Sequence, residues 1–182
     1  MDKSKYWSNC LLDIESANGY LKAPEEYVRM FCVRINGKLR HLITYRLNEK
    51  GRALRNLHTN FAKFLGGSYK QARSSYAYRK GKNILDCVKR HLKSDIFLKT
   101  DIHAYFDSVT YANMIERIKT LRLGKAEADI VSLITEACFY EGRLPLGFTS
   151  SPVLSDLFLE PLDREYQKNG SVMGSKRRLE RR

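Results

Sequence analysis

FLKTDIHAYFDSV, residues 97–109, is the stretch that decides the expected fold. It opens with apolar and β-branched residues that favour a buried strand, and it places a carboxylate, Asp101, where that strand should end. A carboxylate at the lip of a sheet has a rigid support, and such oxygen ligands bind Mg²⁺ while leaving coordination positions open. An Asp that closes a strand is also a common turn former or helix cap, so this pattern alone leaves both roles open.

A second stretch, LPLGFTSSPVLSD, follows at residues 144–156, ahead of an apolar run at residues 157–159. Together the two stretches resemble motifs A and B of reverse transcriptases, in which a strand-ending Asp, two aromatic residues and Asp precede Leu-Pro-x-Gly-x-x-x-Ser-Pro-x-Leu-Ser. Order, spacing and residue types agree in both, which is more specific than either piece alone. From about residue 31 to about residue 163, the chain is similar to bacterial reverse transcriptases of the retron and abortive-infection types.

The resemblance implies an α+β fold: the fingers and the first part of the palm of a right-hand polymerase, with a fingers β-hairpin and helices packed on palm strands. The implied domains are residues 1–95 for the N-terminal segment and fingers, and residues 96–166 for a partial palm with motifs A and B. Residues 167–182 are expected to form a basic, disordered tail. The thumb and the second catalytic motif, Tyr-x-Asp-Asp, are expected to be absent, since the sequence contains no Asp-Asp pair.

The composition indicates a polyanionic partner. The 182 residues suffice for a sizeable core, and a formal charge of +13 with a pI near 9.7 is typical of nucleic-acid binding. The sequence has no long apolar run, lipidation signal or secretory leader that would favour a membrane. Its four cysteines lack Cys-x-x-Cys spacing, which favours reduced thiols and a cytoplasmic location.

Two alternating runs, residues 31–35 and 38–45, flank Asn36-Gly37 and predict a β-hairpin, because a type I′ turn needs positive φ at both central residues. Alternation places Val33 and Arg34 on opposite faces. The basic residues suit phosphate binding or a merely solvated face. In the family such a hairpin holds the incoming triphosphate, and the resemblance gives that role to Arg40, whose planar fork can bind two phosphate oxygens.

Residues 68–82 mix cations with tyrosines. Cations follow a phosphate backbone while aromatic faces stack on bases, so the composition suits a single-stranded RNA template. A basic surface loop has the same composition, and both readings stay open. In the family this region of the fingers lies by the template, which gives four template-binding candidates: Lys70, Arg73, Tyr76 and Arg79.

Apolar spacing predicts the main helices. The first spans residues 48–65 and carries a stripe expected to be core. Asn83 is expected to cap a second helix and Thr110 a third, which runs to residue 121. A further helix is expected at about residues 126–139, and Ser151 should begin the helix of motif B.

Nucleotide addition is phosphoryl transfer from a dNTP to a primer 3′-hydroxyl, and two Mg²⁺ ions about 4 Å apart can stabilise both ends of the displacement. By resemblance, Asp101 and the main-chain carbonyl of Ile102 bind the metal, and Phe106 packs beneath the sugar and excludes a 2′-hydroxyl. Gly147 lets the backbone approach the nascent base pair. Leu146 stands where the family commonly has Gln, which puts ordinary efficiency or fidelity in question.

The expected function is that of an Mg²⁺-dependent RNA-directed DNA polymerase fragment of a retron or anti-phage system, acting with an RNA template, a nucleic-acid primer and dNTPs. One carboxylate cannot hold two metals, so the isolated chain is expected to lack efficient activity. One alternative is a non-catalytic nucleic-acid-binding fragment. Another is a subunit completed by a second chain that supplies the rest of the palm and the thumb.

Overall fold

The computed structural model describes residues 3–35, 37–72, 75–76, 81–92, 101–121, 123 and 125–176, a mixture of helix and strand. In chain order its elements are α1 (Lys3–Leu12), α2 (Ile14–Lys22), α3 (Pro24–Tyr27), β1 (Val28–Ile35), β2 (Lys38–Tyr45), α4 (Glu49–Gly66), α5 (Ile84–His91), α6 (Tyr105–Ser108), α7 (Tyr111–Lys119), α8 (Lys125–Ala137) and α9 (Ser151–Lys176).

The predicted hairpin is confirmed. β1 and β2 pair antiparallel, from Val28 opposite Tyr45 to Ile35 opposite Lys38, which leaves two residues for the turn. Gly37 in that turn has a φ of +78°. The base of the hairpin is buried in the core, whereas apolar side chains farther along the strands are exposed: Met30, Phe31 and Leu39.

α4 is the helix around which the core of its unit is built. Its predicted apolar stripe is confirmed as core, since all five members are buried: Leu54, Leu57, Phe61, Phe64 and Leu65. The Asn48 side chain accepts a hydrogen bond from the Gly51 N–H at 2.8 Å and so caps the helix. Gly51 is required here, because a Cβ at this position would lie 2.1 Å from the carbonyl oxygen of Arg46.

The other predicted helix starts are also confirmed. Asn83 accepts from the Asp86 N–H, and the Asp86 carboxylate accepts from the Asn83 N–H, which completes a capping box on α5. The Thr110 side chain accepts from the Asn113 N–H at the start of α7. α9 begins at Ser151, as the Ser-Pro pair predicts.

The chain divides into two compact units. The first unit comprises Met1–Lys70 and Ile102–Ser155; within it α4 packs against α1 and α2, and α2 packs against α8. The second unit comprises Gln71–Asp101 and Asp156–Arg182. Each unit joins segments distant in sequence, and the predicted domain boundaries at residues 95 and 166 stay a prediction.

Some expectations fall beyond the described ranges. The strand predicted ahead of Asp101 occupies residues 97–100, which lie outside the described residues. The described residues form one sheet, the pair β1–β2. α9 continues to Lys176 and so enters the segment 167–182, whose predicted disorder stays a prediction. Residues 177–182 of that tail lie outside the description.

Of the four cysteines, Cys10 and Cys138 are buried, Cys87 is half-buried and Cys32 is exposed. Within the described ranges, no helix combines the length and the apolar character needed to cross a membrane.

Candidate functional site

The loop at residues 144–150 is fixed against strand β2. The Ile43 backbone N–H donates a hydrogen bond to the Leu146 carbonyl oxygen at 2.8 Å. The next residue, Gly147, has a φ of +117°, and a Cβ there would lie 2.2 Å from the carbonyl oxygen of Ile43. Both the backbone conformation and the neighbouring main chain therefore require glycine. Gly147 thus lies close to the backbone of β2, and its predicted approach to a base pair stays a prediction.

Both ends of this loop are tied down within the first unit. The Leu144 N–H donates to the carbonyl oxygen of Val109 at 3.0 Å. The Ser151 hydroxyl donates to the Pro145 carbonyl oxygen at 2.7 Å and is buried. Since Val109 ends the first motif and Leu144 begins the second, backbone hydrogen bonding brings the edges of the two motifs together.

The Tyr45 hydroxyl is the centre of a buried polar cluster beneath the loop. It accepts a hydrogen bond from the Thr149 backbone N–H at 2.9 Å and lies 2.8 Å from Nδ1 of His58. Because the hydroxyl accepts the amide proton, its own proton can be donated to Nδ1. The Thr149 Oγ1 lies 3.2 Å from both the Tyr45 hydroxyl and the Thr59 hydroxyl. The cluster thus connects β2, α4 and the loop.

Aromatic packing surrounds this cluster. The rings of Tyr45 and Phe148 stack with centroids 5.2 Å apart, and the His58 ring lies 4.8 Å from Phe148. Burial lowers the pKa of His58 to about 3, against a smaller opposing effect of the Ala137 backbone. Burial also raises the pKa of Tyr45. Both side chains are therefore neutral at neutral pH, and the cluster is held by hydrogen bonds and ring packing.

The aromatic pair of the first motif lies on the short helix α6. The Tyr105 hydroxyl donates to the Ser155 carbonyl oxygen at 2.7 Å, which ties α6 to the first turns of α9. The neighbouring Phe106 is half-buried, and its ring centroid lies 5.6 Å from that of Tyr105. Its predicted contact with a sugar stays a prediction.

Asp101, the predicted metal ligand, is exposed and lies in a segment without regular structure. Ile102 is 44% exposed. In the part of the chain that the structure describes, no group of three or more His, Cys, Asp or Glu side chains could hold a metal ion. The binding of Mg²⁺ by Asp101 and Ile102 stays a prediction.

Arg40 is exposed on β2, directly opposite Val33 on β1. Opposed residues of an antiparallel pair share a face, and Phe31 and Leu42, two positions along, share it as well. Arg34 lies on the other face, as predicted. The guanidinium of Arg40 is thus presented beside an apolar surface, and its contact with phosphate stays a prediction.

Of the four template candidates, Lys70 is exposed and Tyr76 half-buried, whereas Arg73 and Arg79 lie outside the described residues. The structure adds Asp156, which is 8% exposed. Within the second unit its carboxylate accepts hydrogen bonds from Gln71 Nε2 at 2.7 Å and from the Ser75 hydroxyl at 2.5 Å. Asp156 therefore holds Gln71 and Ser75, which are the sequence neighbours of the candidates Lys70 and Tyr76.

Sequence reasoning missed the roles of Tyr45, His58 and Asp156. A signal was present for two of them. His58 follows Leu57 within the apolar stripe of α4, and Asp156 precedes buried Leu157 in an apolar run. A polar side chain at a buried helical position needs a hydrogen-bond partner, which the sequence alone could not identify.

Two sequence matches to known proteins indicate the family of this chain. The model of the reverse transcriptase (RNA-dependent DNA polymerase) family matches residues 35–175. Retron Ec86 reverse transcriptase of Escherichia coli is 29% identical over 93 residues, which are 51% of this chain and 28% of that protein. The aligned chain thus spans less than a third of that relative's length. The two motifs indicated a resemblance to bacterial retron-type reverse transcriptases, and these matches confirm it.

Proposed function

This chain belongs to the reverse transcriptase (RNA-dependent DNA polymerase) family, and on that premise we propose that it carries the fingers and first part of the palm of an RNA-directed DNA polymerase. The observation that supports this best is the docking of loop 144–150 on β2 through Ile43, Leu146 and Gly147. It joins the hairpin and the second motif, the two elements that the resemblance assigns to the nucleotide.

In this proposal the incoming dNTP lies between the hairpin and the loop. Arg40 binds its triphosphate, because an exposed, permanently charged fork can contact two phosphate oxygens. Phe106 forms an apolar wall beneath the sugar, so that a 2′-hydroxyl is rejected sterically. Gly147 lets the backbone of the loop approach the nascent base pair closely, as the resemblance implies.

The template is proposed to be RNA and the primer a nucleic acid. A formal charge of +13 supports a polyanionic partner. Lys70 and Tyr76, with Arg73 and Arg79, contact the template in this proposal. Asp156 holds Gln71 and Ser75, the sequence neighbours of Lys70 and Tyr76. A retron or other anti-phage system of the cytoplasm is the proposed setting.

Mg²⁺ is the proposed metal. Asp101 and the carbonyl of Ile102 would be ligands, since carboxylate and carbonyl oxygens suit this ion. The other ligands would come from a second chain that supplies the rest of the palm and the thumb.

A non-catalytic nucleic-acid-binding fragment is the second candidate, and the same basic charge favours it. The two candidates differ in primer extension on an RNA template with Mg²⁺ and dNTPs, measured for this chain alone and with a chain that supplies the remaining palm and thumb. We expect synthesis by the complete assembly, loss of synthesis in Asp101→Ala with RNA binding retained, and normal synthesis in the control Asp129→Ala, an exposed carboxylate on α8.

Synthesis that survives Asp101→Ala would refute the assigned site. RNA binding that weakens with salt, without synthesis by either sample, would support the binding fragment instead.

A further inference from the structure

We propose that Tyr45 is the positioning residue of the nucleotide-binding loop: its hydroxyl fixes Thr149, and through it holds Gly147 at a set place beside the incoming nucleotide. The placement of a nucleotide there rests on the proposed function. The fixing of the loop by one hydroxyl rests on the contacts of this chain alone.

The first support is the number of partners at one oxygen. The Tyr45 hydroxyl has the Thr149 N–H at 2.9 Å, the His58 Nδ1 at 2.8 Å and the Thr149 Oγ1 at 3.2 Å. Residue 149 belongs to no helix or strand, so its amide depends on this side chain rather than on a backbone ladder. Removing the hydroxyl would leave a loop amide and a buried ring nitrogen without this partner.

The second support is that the ring of Tyr45 packs in the core while its hydroxyl forms the hydrogen bonds to the loop. The ring stacks on Phe148 at 5.2 Å and packs against the buried His58 ring at 5.6 Å. Phenylalanine at position 45 would keep this packing and lose only the hydrogen bonds. The substitution Tyr45→Phe can therefore test the position of the loop without disturbing the packing of the core.

The third support is the strand on which Tyr45 lies. β2 holds the loop at two points two residues apart, through the Ile43 N–H to Leu146 and through Tyr45 to Thr149. The same strand carries Arg40 five residues earlier, about 17 Å away at the usual rise of a strand. Strand β2 thus sets the distance between Gly147 and Arg40, which is proposed to bind the triphosphate. The Tyr45 hydroxyl fixes the loop that carries Gly147 to this strand.

Hydrogen exchange tests the positioning without requiring activity. In Tyr45→Phe we expect the Thr149 amide to exchange at least about tenfold faster, since one hydrogen bond of ordinary strength is lost. The Leu144 amide, bonded to the Val109 carbonyl, should keep its wild-type rate. Tyr111→Phe is the matched control, because it also removes a tyrosine hydrogen bond in the same unit, to Ser132 at 3.0 Å. An unchanged Thr149 rate in Tyr45→Phe would overturn the proposal.

Two substitutions of His58 check that the cluster acts as a unit. Asn places an amide group near the position of Nδ1, so His58→Asn should retain most of the Thr149 protection. His58→Leu offers no polar atom to the Tyr45 hydroxyl and should lose protection. Equal exchange in the two variants would contradict the role of the hydrogen bond between His58 and Tyr45.

The functional readout is the KM for dNTP in the complete assembly described above. Tyr45→Phe should raise KM at least about fivefold with less than about a twofold change in kcat, because binding geometry changes and the reacting groups do not. Faster Thr149 exchange with an unchanged KM would mean a purely structural role and would overturn the proposal. If the wild-type assembly makes no DNA, the proposed function fails, whereas the exchange data still decide whether Tyr45 fixes the loop.

Discussion

Gly147 lies against the main chain of Ile43, so that a Cβ on Gly147 would come within 2.2 Å of the Ile43 carbonyl oxygen. The contact joins the loop of the second motif to the second strand of the hairpin. The contact explains why glycine occupies position 147, because any side chain would clash with β2. Even an alanine at this position should therefore destabilise the protein.

Gly147→Ala should destabilise the protein by about 2–4 kcal/mol, because it combines a strained positive φ with a clash against backbone that cannot move freely. Urea unfolding measures the loss. Gly66→Ala is the matched control: nothing lies within 4 Å of its added Cβ, and we expect a change within about 0.5 kcal/mol. Equal effects of the two substitutions would contradict the docking of the loop on β2.

The sequence predicts the local structure well where the signal is local. The pairing of the hairpin strands and the caps at Asn83 and Thr110 depend on neighbouring residues, and the structure has them as predicted. The contact of Gly147 with Ile43 joins residues more than a hundred positions apart, so no spacing pattern could reveal it. The second motif indicated that Gly147 matters, whereas its contact with Ile43 could be found only from the folded structure.

Some residues of the candidate site could be predicted from the sequence, and others could not. Asp101, Arg40 and Phe106 could be selected from the motifs, because the resemblance attaches a role to each residue type. Tyr45 and His58 could not, since their importance comes from hydrogen bonds across three elements. In a sequence, a tyrosine at the end of a strand is indistinguishable from an ordinary core residue. A histidine in an apolar stripe indicates that a hydrogen-bond partner is needed but does not identify it.

His58 should make folding sensitive to acid. Its pKa falls from 6.5 to about 3 because of burial, so the unfolded chain binds a proton at this residue before the folded chain does. Stability should therefore decrease as the pH falls from about 6.5 toward 3. Urea unfolding of His58→Asn across this range should show a weaker pH dependence than the wild type, and the exposed control His103→Asn should not. Parallel curves for wild type and His58→Asn would refute the neutral, buried histidine.

Asp156→Ala should weaken RNA binding without removing a cation. The substitution leaves Gln71 and Ser75 without the carboxylate to which they donate, and these residues are the sequence neighbours of the proposed template contacts Lys70 and Tyr76. Loss of a buried charged acceptor costs roughly 1–3 kcal/mol of stability. Glu165→Ala, an exposed carboxylate on the same helix, is the control. RNA affinity is measured by filter binding at fixed salt, and tighter binding by Asp156→Ala, as simple charge removal predicts, would contradict this role.

Arg40→Lys should raise the KM for dNTP about tenfold or more, because lysine keeps the charge and loses the two-pronged contact with phosphate. Arg34→Lys makes the same chemical change on the opposite face of the hairpin and should leave the KM unchanged. Primer extension by the complete assembly measures both. A similar increase in the two variants would indicate a general electrostatic effect instead of a contact at Arg40.

The most direct test of this account is to locate the incoming nucleotide on the chain. A photoreactive dATP analogue is crosslinked in the presence of primed RNA template and Mg²⁺, and the modified peptides are identified by mass spectrometry. We expect crosslinks within strand β2 and loop 144–150, and unlabelled dATP should suppress them more effectively than ATP. Crosslinks confined to other segments, while the RNA is bound, would contradict a nucleotide site built from the hairpin and the loop.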